Sequence, residues 1–261
     1  MQKNRVSIIT PMFNGGKLVA RTIESVQAQT YEDWEMIIVD DCSSDNGLGR
    51  SIVERYLATD TRIKLIVLSA NKGASGARNV GIECAEGEFI AFLDADDLWN
   101  KPFLEKQLSF MQEKSAKIVF CSYRRIAEDE NVDVLPPFIV PATVNYTKIL
   151  KTLPICPSTA IMNIGTLGKY YFNEEMGSLR DDYVFWLTIL KNHVDFAYGN
   201  QEILASYRIR RDAVTANKFS VIKPHWMVLR HIEKLSLSKS LYYFACWALS
   251  SLWKYRIVWR S

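Results

Sequence analysis

Five short and nearly unbroken apolar runs punctuate the first 125 residues: Val6–Thr10, Met36–Val39, Ile63–Leu68, Phe89–Leu93 and Ile118–Cys121. A strand buried on one face alternates apolar and polar residues, whereas a strand buried on both faces reads as a continuous run of this length. The segments between them carry the helical period instead. Inward-facing candidates fall at Leu18, Val19, Thr22, Ile23 and Val26, at Leu48, Ile52, Val53, Tyr56 and Leu57, and at Leu104, Leu108 and Met111. Strand and helix in strict alternation predict βαβ units, and therefore an α/β domain whose parallel sheet is covered by helices on both faces.

Sheets of this kind bind ligands beyond the carboxyl ends of their strands. The first strand runs into Thr10-Pro11-Met12-Phe13-Asn14-Gly15-Gly16 and the second into Asp40-Asp41-Cys42-Ser43-Ser44-Asp45. The third leads to Asn71-Lys72-Gly73 and on to Arg78-Asn79, and the fourth to Asp94-Ala95-Asp96-Asp97. All four ends are polar and two are doubly acidic, so this edge is the expected site. Three carboxylates within four residues repel one another unless a cation offsets them. Hard oxygen donors suit Mg²⁺ or Mn²⁺, which take one or two carboxylates together with phosphate oxygens. An acidic turn before the helix near Pro102 is the plainer alternative, for Asp97 above all. Asp40-Asp41 suit either a helix cap or recognition of a nucleobase or ribose. Around Arg78, backbone amides and a guanidinium could bind phosphate, while Gly76 and Gly81 could equally serve close helix packing. Neither GxGxxG nor GxxxxGK[ST] is present there, which disfavours a nicotinamide cofactor or a P-loop hydrolase.

Beyond Arg125 the character changes. Glu128–Asn145 is acidic and then proline-rich and reads as a long surface excursion. Ser158–Asn163 and Glu202–Ile209 read as strands, with an apolar helix over Tyr183–Leu190 opened by Asp181-Asp182. That acidic pair either complements the helix dipole or supplies a base for an attacking hydroxyl. From Asn217 the pattern is helical and basic, which divides the chain into 1–125, 126–216 and 217–261. The net charge of +3 hides an asymmetry: Tyr207–Ser261 holds eleven Lys and Arg against two acids. A basic tail on an acidic body points to anionic lipid or phosphate rather than nucleic acid. In the tail Trp247, Trp253, Trp259, Tyr242 and Tyr243 lie among Lys239, Lys254, Arg256 and Arg260. Lys239, Tyr243, Ser250 and Lys254 form one helical stripe, and Leu241, Phe244, Ala248 and Leu252 another. Such a helix lies in a membrane interface, or packs its aromatics on the core.

The uncharged run Ser240–Trp253 falls short of the roughly 18–20 residues that span a bilayer. Pro11 interrupts Val6–Phe13, so this run reads as a first strand and not a signal sequence. Five cysteines, odd in number and without a CxxC pair, argue against a disulfide framework or zinc site and for a reducing compartment. Three histidines make a His-rich metal centre improbable.

Taken together, Val6–Asn14, Ser25-Val26-Gln27-Ala28-Gln29-Thr30-Tyr31, Ile37–Asp45, Asn71–Asn79 and Phe92–Trp99 resemble, in order and spacing, the first half of a family 2 glycosyltransferase. Over the second half, Asp181–Leu187, Tyr207-Arg208 and the basic tail are similar to the bacterial branch that builds O-antigen, capsule and teichuronic-type polysaccharides. The resemblance implies a GT-A (Rossmann-like) fold: a mostly parallel sheet covered by helices, with a C-terminal helical, basic-aromatic tail. It implies that residues 1–125 bind a nucleotide sugar, 126–216 bind the acceptor and carry the base, and 217–261 lie near the membrane. By the same resemblance, Pro11, Phe13 and Asp41 hold uracil, Arg78 lies near the nucleotide, and Asp94 contacts ribose or sugar. Asp96 coordinates Mn²⁺ or Mg²⁺, with Asp97 able to share that role, and Asp182 is the general base. Asp181 departs from the usual Glu-Asp pair.

The implied reaction is inverting, metal-dependent transfer of a hexose, glucose or galactose, from a UDP-sugar to an undecaprenyl-diphosphate-linked saccharide. The implied place is the cytoplasmic face of the bacterial plasma membrane, held peripherally by an anionic surface. The rival reading is a non-catalytic module of the same fold that binds nucleotide sugar or membrane. A nucleotidyltransferase fits poorly, because it wants a Gly-rich loop with Lys or Arg directly after the first strand.

Overall fold

The computed structural model describes residues 1–16, 18–176, 180–209 and 220–255. The first half alternates as expected: β1 (Gln2–Met12), α1 (Val19–Gln27), β2 (Trp34–Asp40), α2 (Leu48–Leu57), β3 (Ile63–Val67), α3 (Gly73–Cys84) and β4 (Gly87–Phe92). These four strands are parallel and lie in the order β3-β2-β1-β4. The chain therefore winds one way from β1 to β3 and then returns to the other side of β1, which opens a crevice at the β1/β4 switch point.

The second half adds β5 (Leu98–Trp99), α4 (Phe103–Glu113), β6 (Ile118–Ile126), β7 (Asp133–Phe138), β8 (Thr143–Val144) and α5 (Tyr146–Ile149). It continues through β9 (Ala160–Asn163), α6 (Ile164–Leu167), α7 (Asp181–Asn192), β10 (Ala197–Arg208), α8 (Ile222–Met227) and α9 (Leu237–Tyr255). β6 is not the neighbour of β4. β9 is inserted between them, antiparallel to both, and β10 then pairs parallel to β6. The sheet is mostly parallel in its first half and mixed in its second. Two details differ from the sequence reading. The strand expected at Ser158 starts at Ala160, because Pro157–Thr159 forms a 3-10 turn, and the one expected at Glu202 starts at Ala197. The proline-rich segment also holds β7 and β8. β7 pairs only with β6, so Pro136 and Pro137 sit on an edge strand, where a missing N–H breaks no ladder.

Successive side chains of a strand point to opposite faces, and the core divides accordingly. Ile8, Met36, Ile38 and Val119 pack with Val19, Ile23, Val26 and Val53 of α1 and α2 and with Phe103 and Leu104 of α4. Ile9, Ile37, Val39 and Phe120 face the other way, onto Ala77 and Ile82 of α3 and onto Phe185, Trp186 and Leu187 of α7. All seven residues of β2 are buried, as a run covered on both faces requires. Gly81 lets α3 lie against β1, since a Cβ there would come within 2.5 Å of Ile9 Cγ2. Gly76 is tight against Lys72 of its own segment, not against a strand.

The described part of the tail packs on this second face. Val228 and Leu229 join the core, and Leu235, Tyr243 and Phe244 lie against it. The expected stripe Leu241–Phe244–Ala248 is split: Leu241 is 55% exposed while Phe244 packs inward. Among the described side chains of α9, Ser240 and Trp247 are the buried ones, so the inward face is rotated by about one residue from the expected one. Arg256, Trp259 and Arg260, the expected helical start at 217–219, and the side chains of Leu252, Trp253 and Lys254 lie outside what the structure describes. Among the described residues no helix is long and apolar enough to cross a membrane.

Candidate active site

The polar strand ends do meet at one edge, and the backbone stitches them together. The Asp41 amide donates to the Met12 carbonyl at 2.8 Å, and the Ser44 amide to Asn14 Oδ1 at 2.8 Å. Asn14 and Cys42 both hold the left-handed conformation (φ 53° and 57°), a strain that tends to collect at functional loops. Pro11 is half-buried at the end of β1, opposite Val39, and Phe13 projects with 51% of its surface exposed. A solvent-facing aromatic beside a strand end is suited to stacking a base. Asp41 is buried and accepts the Lys72 amide at 2.7 Å, which ties β2 to the start of α3. Burial raises its pKa above the ordinary carboxylate value.

The acidic loop after β4 is anchored through its backbone. Thr22 of α1 donates from one hydroxyl to the carbonyls of Ala95 (2.9 Å) and Asp97 (3.0 Å), and the Asp94 amide donates to Ser158 Oγ at 3.1 Å. This fixing leaves the side chains of Asp94 and Asp96 half-buried at the edge. Asp97 is different. It is fully buried, and its Oδ1 accepts the Arg208 amide at 2.8 Å. Burial, reinforced by the charges of Asp96 and Asp94, lifts its pKa well above the usual range. Its Oδ2 has no hydrogen-bond partner among the described residues. Arg208 closes the back of the loop, with Nε donating to the Asp96 carbonyl at 2.8 Å.

Arg78 links this loop to the second half. Its side chain is buried in α3, with Nη2 2.7 Å from Asp94 Oδ1 and Nη1 3.2 Å from Asp181 Oδ2. Ser75, one helical turn earlier, donates to the same Asp181 oxygen at 2.9 Å. Asn79 completes the platform: its amide group donates to the Phe172 carbonyl (3.0 Å) and accepts the Phe172 amide (2.7 Å). One face of α3 thereby holds both Phe172 and Asp181, the first residue of α7. Asp182 stands in the first turn of α7, half-buried, with Oδ1 accepting the Tyr183 amide at 2.7 Å. Burial first, and then the charge of Asp181, push its pKa up to about 6, against the pull of Arg180 and Arg78. A carboxylate with such a pKa is ionised at neutral pH yet basic enough to accept a proton.

Among the described residues no group of three or more His, Cys, Asp and Glu side chains is gathered as a metal site. A Mg²⁺ or Mn²⁺ ion held by one or two carboxylates and by phosphate oxygens needs no such group. The half-buried Asp96 and the orphaned Asp97 Oδ2 beside it are hard oxygen donors and fit that requirement.

Residues 7–170 match the family described as Glycosyl transferase family 2. The chain belongs to this family. TuaG of Bacillus subtilis (strain 168), whose name places it in teichuronic acid biosynthesis, is 38% identical over 255 residues, 97% of this chain and 98% of TuaG. WfgD of Escherichia coli, a UDP-Glc:alpha-D-GlcNAc-diphosphoundecaprenol beta-1,3-glucosyltransferase by name, is 35% identical over 237 residues, 91% of this chain and 90% of WfgD. Among solved structures, Staphylococcus aureus TarS 1-349 in complex with UDP-GlcNAc superposes with a TM-score of 0.70 at 23% identity, over 94% of this chain and 71% of that one. The likeness to TarS carries the GT-A fold. This family 2 glycosyltransferase is thus a transferase with a mostly parallel GT-A sheet. Sequence reading missed the parts played by Ser75, Ser158 and Thr22. Ser75 had a signal, since it lies three residues from Arg78 on one helical face. Ser158 and Thr22 had none, because they act through backbone groups of a loop far away in sequence.

Proposed function

We propose that this glycosyltransferase moves a hexose from a UDP-sugar to an undecaprenyl-diphosphate-linked saccharide, with inversion at the anomeric carbon and with help from Mn²⁺ or Mg²⁺. The observation that carries the reading is the bridge through Arg78, which sets the half-buried Asp94 and Asp96 at the same edge as Asp182. The name of WfgD supports the acceptor class, and that name and the UDP-GlcNAc complex of TarS support the donor class. Phe13 stacks the uracil, with Pro11 and Asp41 shaping that end of the crevice, and Asp94 receives ribose or sugar hydroxyls. Asp96, with Asp97 Oδ2 behind it, would hold the divalent cation. When bound there, the cation offsets the negative charge that develops on the departing diphosphate. Asp182 takes the proton of the acceptor hydroxyl as its oxygen forms the bond to the anomeric carbon. The bond from that carbon to the diphosphate oxygen breaks, and UDP leaves with the electron pair.

The surface of α9 supports a peripheral site of action at the cytoplasmic face of the plasma membrane. Leu241, Ala245 and Leu249, each four residues apart, form an outward stripe, with Leu241 55% and Leu249 68% exposed. Tyr242 and Leu237 flank it, and Lys223, Lys234 and Lys239 are exposed nearby in sequence. Apolar residues framed by lysines suit an anionic lipid surface, at roughly 1 kcal/mol per basic residue close to it.

The test is transfer from a panel of UDP-sugars to undecaprenyl-diphosphate-linked GlcNAc in anionic vesicles, with Mn²⁺ and with chelator. One UDP-sugar should give an inverted glycosidic product that chelation abolishes. Neither transfer nor donor hydrolysis with any sugar would contradict the reading and favour a binding module instead.

A further inference from the structure

The mechanism leaves an aromatic cluster unused, although it ends one residue before the acidic pair. α7 is preceded by Arg180 in the left-handed conformation (φ 75°, ψ 12°), strained for a side chain other than glycine. The Arg180 guanidinium carbon lies 4.8 Å above the Trp247 ring of α9 and 6.0 Å from the Tyr183 ring. Trp247 is held in turn. It stacks on His225 of α8 at 4.2 Å with planes 26° apart, and His225 leans on Tyr183 at 5.0 Å. Phe244 closes the cluster 5.4 Å from Trp247. His225 is buried, and among the described residues neither ring nitrogen has a hydrogen-bond partner. Burial and the nearby charge of Arg180 depress its pKa to about 3, so it is a neutral plate between two aromatic rings. His225 therefore brings no second positive charge to the face of Trp247.

We propose that Trp247 of the C-terminal helix is a positioning residue for catalysis, fixing Arg180 so that its charge stands beside Asp182. This rests on Asp182 being the general base. The helix whose outer stripe faces lipid is then also the helix whose inner face steadies the base, so the tail belongs to the catalytic unit. Among the described residues, the charges of Asp181, which precedes Asp182 on α7, of Arg180 at the entry to the helix and of Arg78 on α3 act on Asp182, and Asp182 in turn raises the Cys156 thiol in the loop before β9. Asp181 is already paired with Arg78, at 3.2 Å, and with Ser75. The charge of Arg180 therefore adds to that of Arg78 in favouring the ionised form of Asp182. Taking it away leaves Asp182 facing the Asp181 charge with less compensation, and the base then titrates at higher pH.

The pH dependence of kcat, the donor KM and the melting temperature would be measured for Arg180→Gly, Trp247→Leu, Trp247→Phe and Asp182→Asn. Glycine suits the backbone at position 180, so the first variant should fold. Arg180→Gly and Trp247→Leu should each move the acid limb of kcat upward by about 1 pH unit and slow turnover near pH 6 roughly fivefold and near pH 5 roughly tenfold, with donor KM unchanged. Trp247→Phe keeps an aromatic face and should stay near the parent limb. If Trp247→Leu fails to fold, Arg180→Gly decides the matter. An unmoved acid limb in a folded Arg180→Gly that retains turnover, with Asp182→Asn inactive, would overturn the proposal and leave the base assignment standing. An active Asp182→Asn would instead overturn the base assignment, and this proposal with it.

Discussion

Two sets of carboxylates share one sheet edge and are held in opposite ways. Asp94 and Asp96 stand, half-buried, on a loop whose backbone is pinned by Thr22 and Ser158. Asp182 stands on a helix end braced through Asp181, Ser75 and Arg78, and its partial burial pushes its pKa up to about 6. Pinning the backbone orients the carboxylates of Asp94 and Asp96 at the sheet edge. Burying Asp182 beside the charge of Asp181 makes it a proton acceptor. One residue type can serve two roles because its surroundings differ.

Asp182→Asn would break this comparison most severely. It should lower kcat by roughly 10²–10⁴-fold while leaving UDP binding intact, as loss of a positioned base does. The same variant should melt higher at neutral pH. A carboxyl whose pKa rises on folding is held ionised against its surroundings above that pKa, and that penalty vanishes with the amide. Near-parental turnover would remove Asp182 from the mechanism.

Arg78→Met tests the bridge between the two sets. It leaves the buried Asp181 without its cation, and breaking a buried pair in this way destabilises by about 3–5 kcal/mol. Denaturant unfolding that shows less than about 1 kcal/mol of loss would mean that α3 does not hold α7 in place. The smallest effect should come from Gly81→Ala. The added Cβ meets Ile9 Cγ2 at 2.5 Å, so α3 must shift from β1 at a cost of about 1–3 kcal/mol. Calorimetry should find UDP affinity little changed, since Gly81 faces the sheet and not the edge.

How far the sequence revealed this arrangement follows from where its physics is local. β1 to β4 and the helices between them were legible because burial on both faces writes an unbroken apolar run, as in the fully buried β2. Their polar ends located the edge, where Arg78 joins Asp94 of the loop after β4 to Asp181 of α7. The insertion of β9 between β4 and β6 was not legible, since strand order is decided by packing and not by any run of residues. Pro136 and Pro137 hid β7 for a related reason: proline argues against a central strand, and only pairing shows that this strand lies at an edge. The expected stripe on α9 was displaced because Trp247 is claimed by His225 and Arg180, partners far away in sequence. Arg78, expected near the nucleotide, proved to have both terminal nitrogens engaged by carboxylates from the two halves.

If one carboxylate set binds the nucleotide with its cation while the other receives the proton, the two sets separate in titration calorimetry of UDP with Mn²⁺. Mn²⁺-dependent UDP binding should be lost in Asp96→Ala and kept in Asp182→Asn. Equal affinity in the two variants would contradict this division of roles.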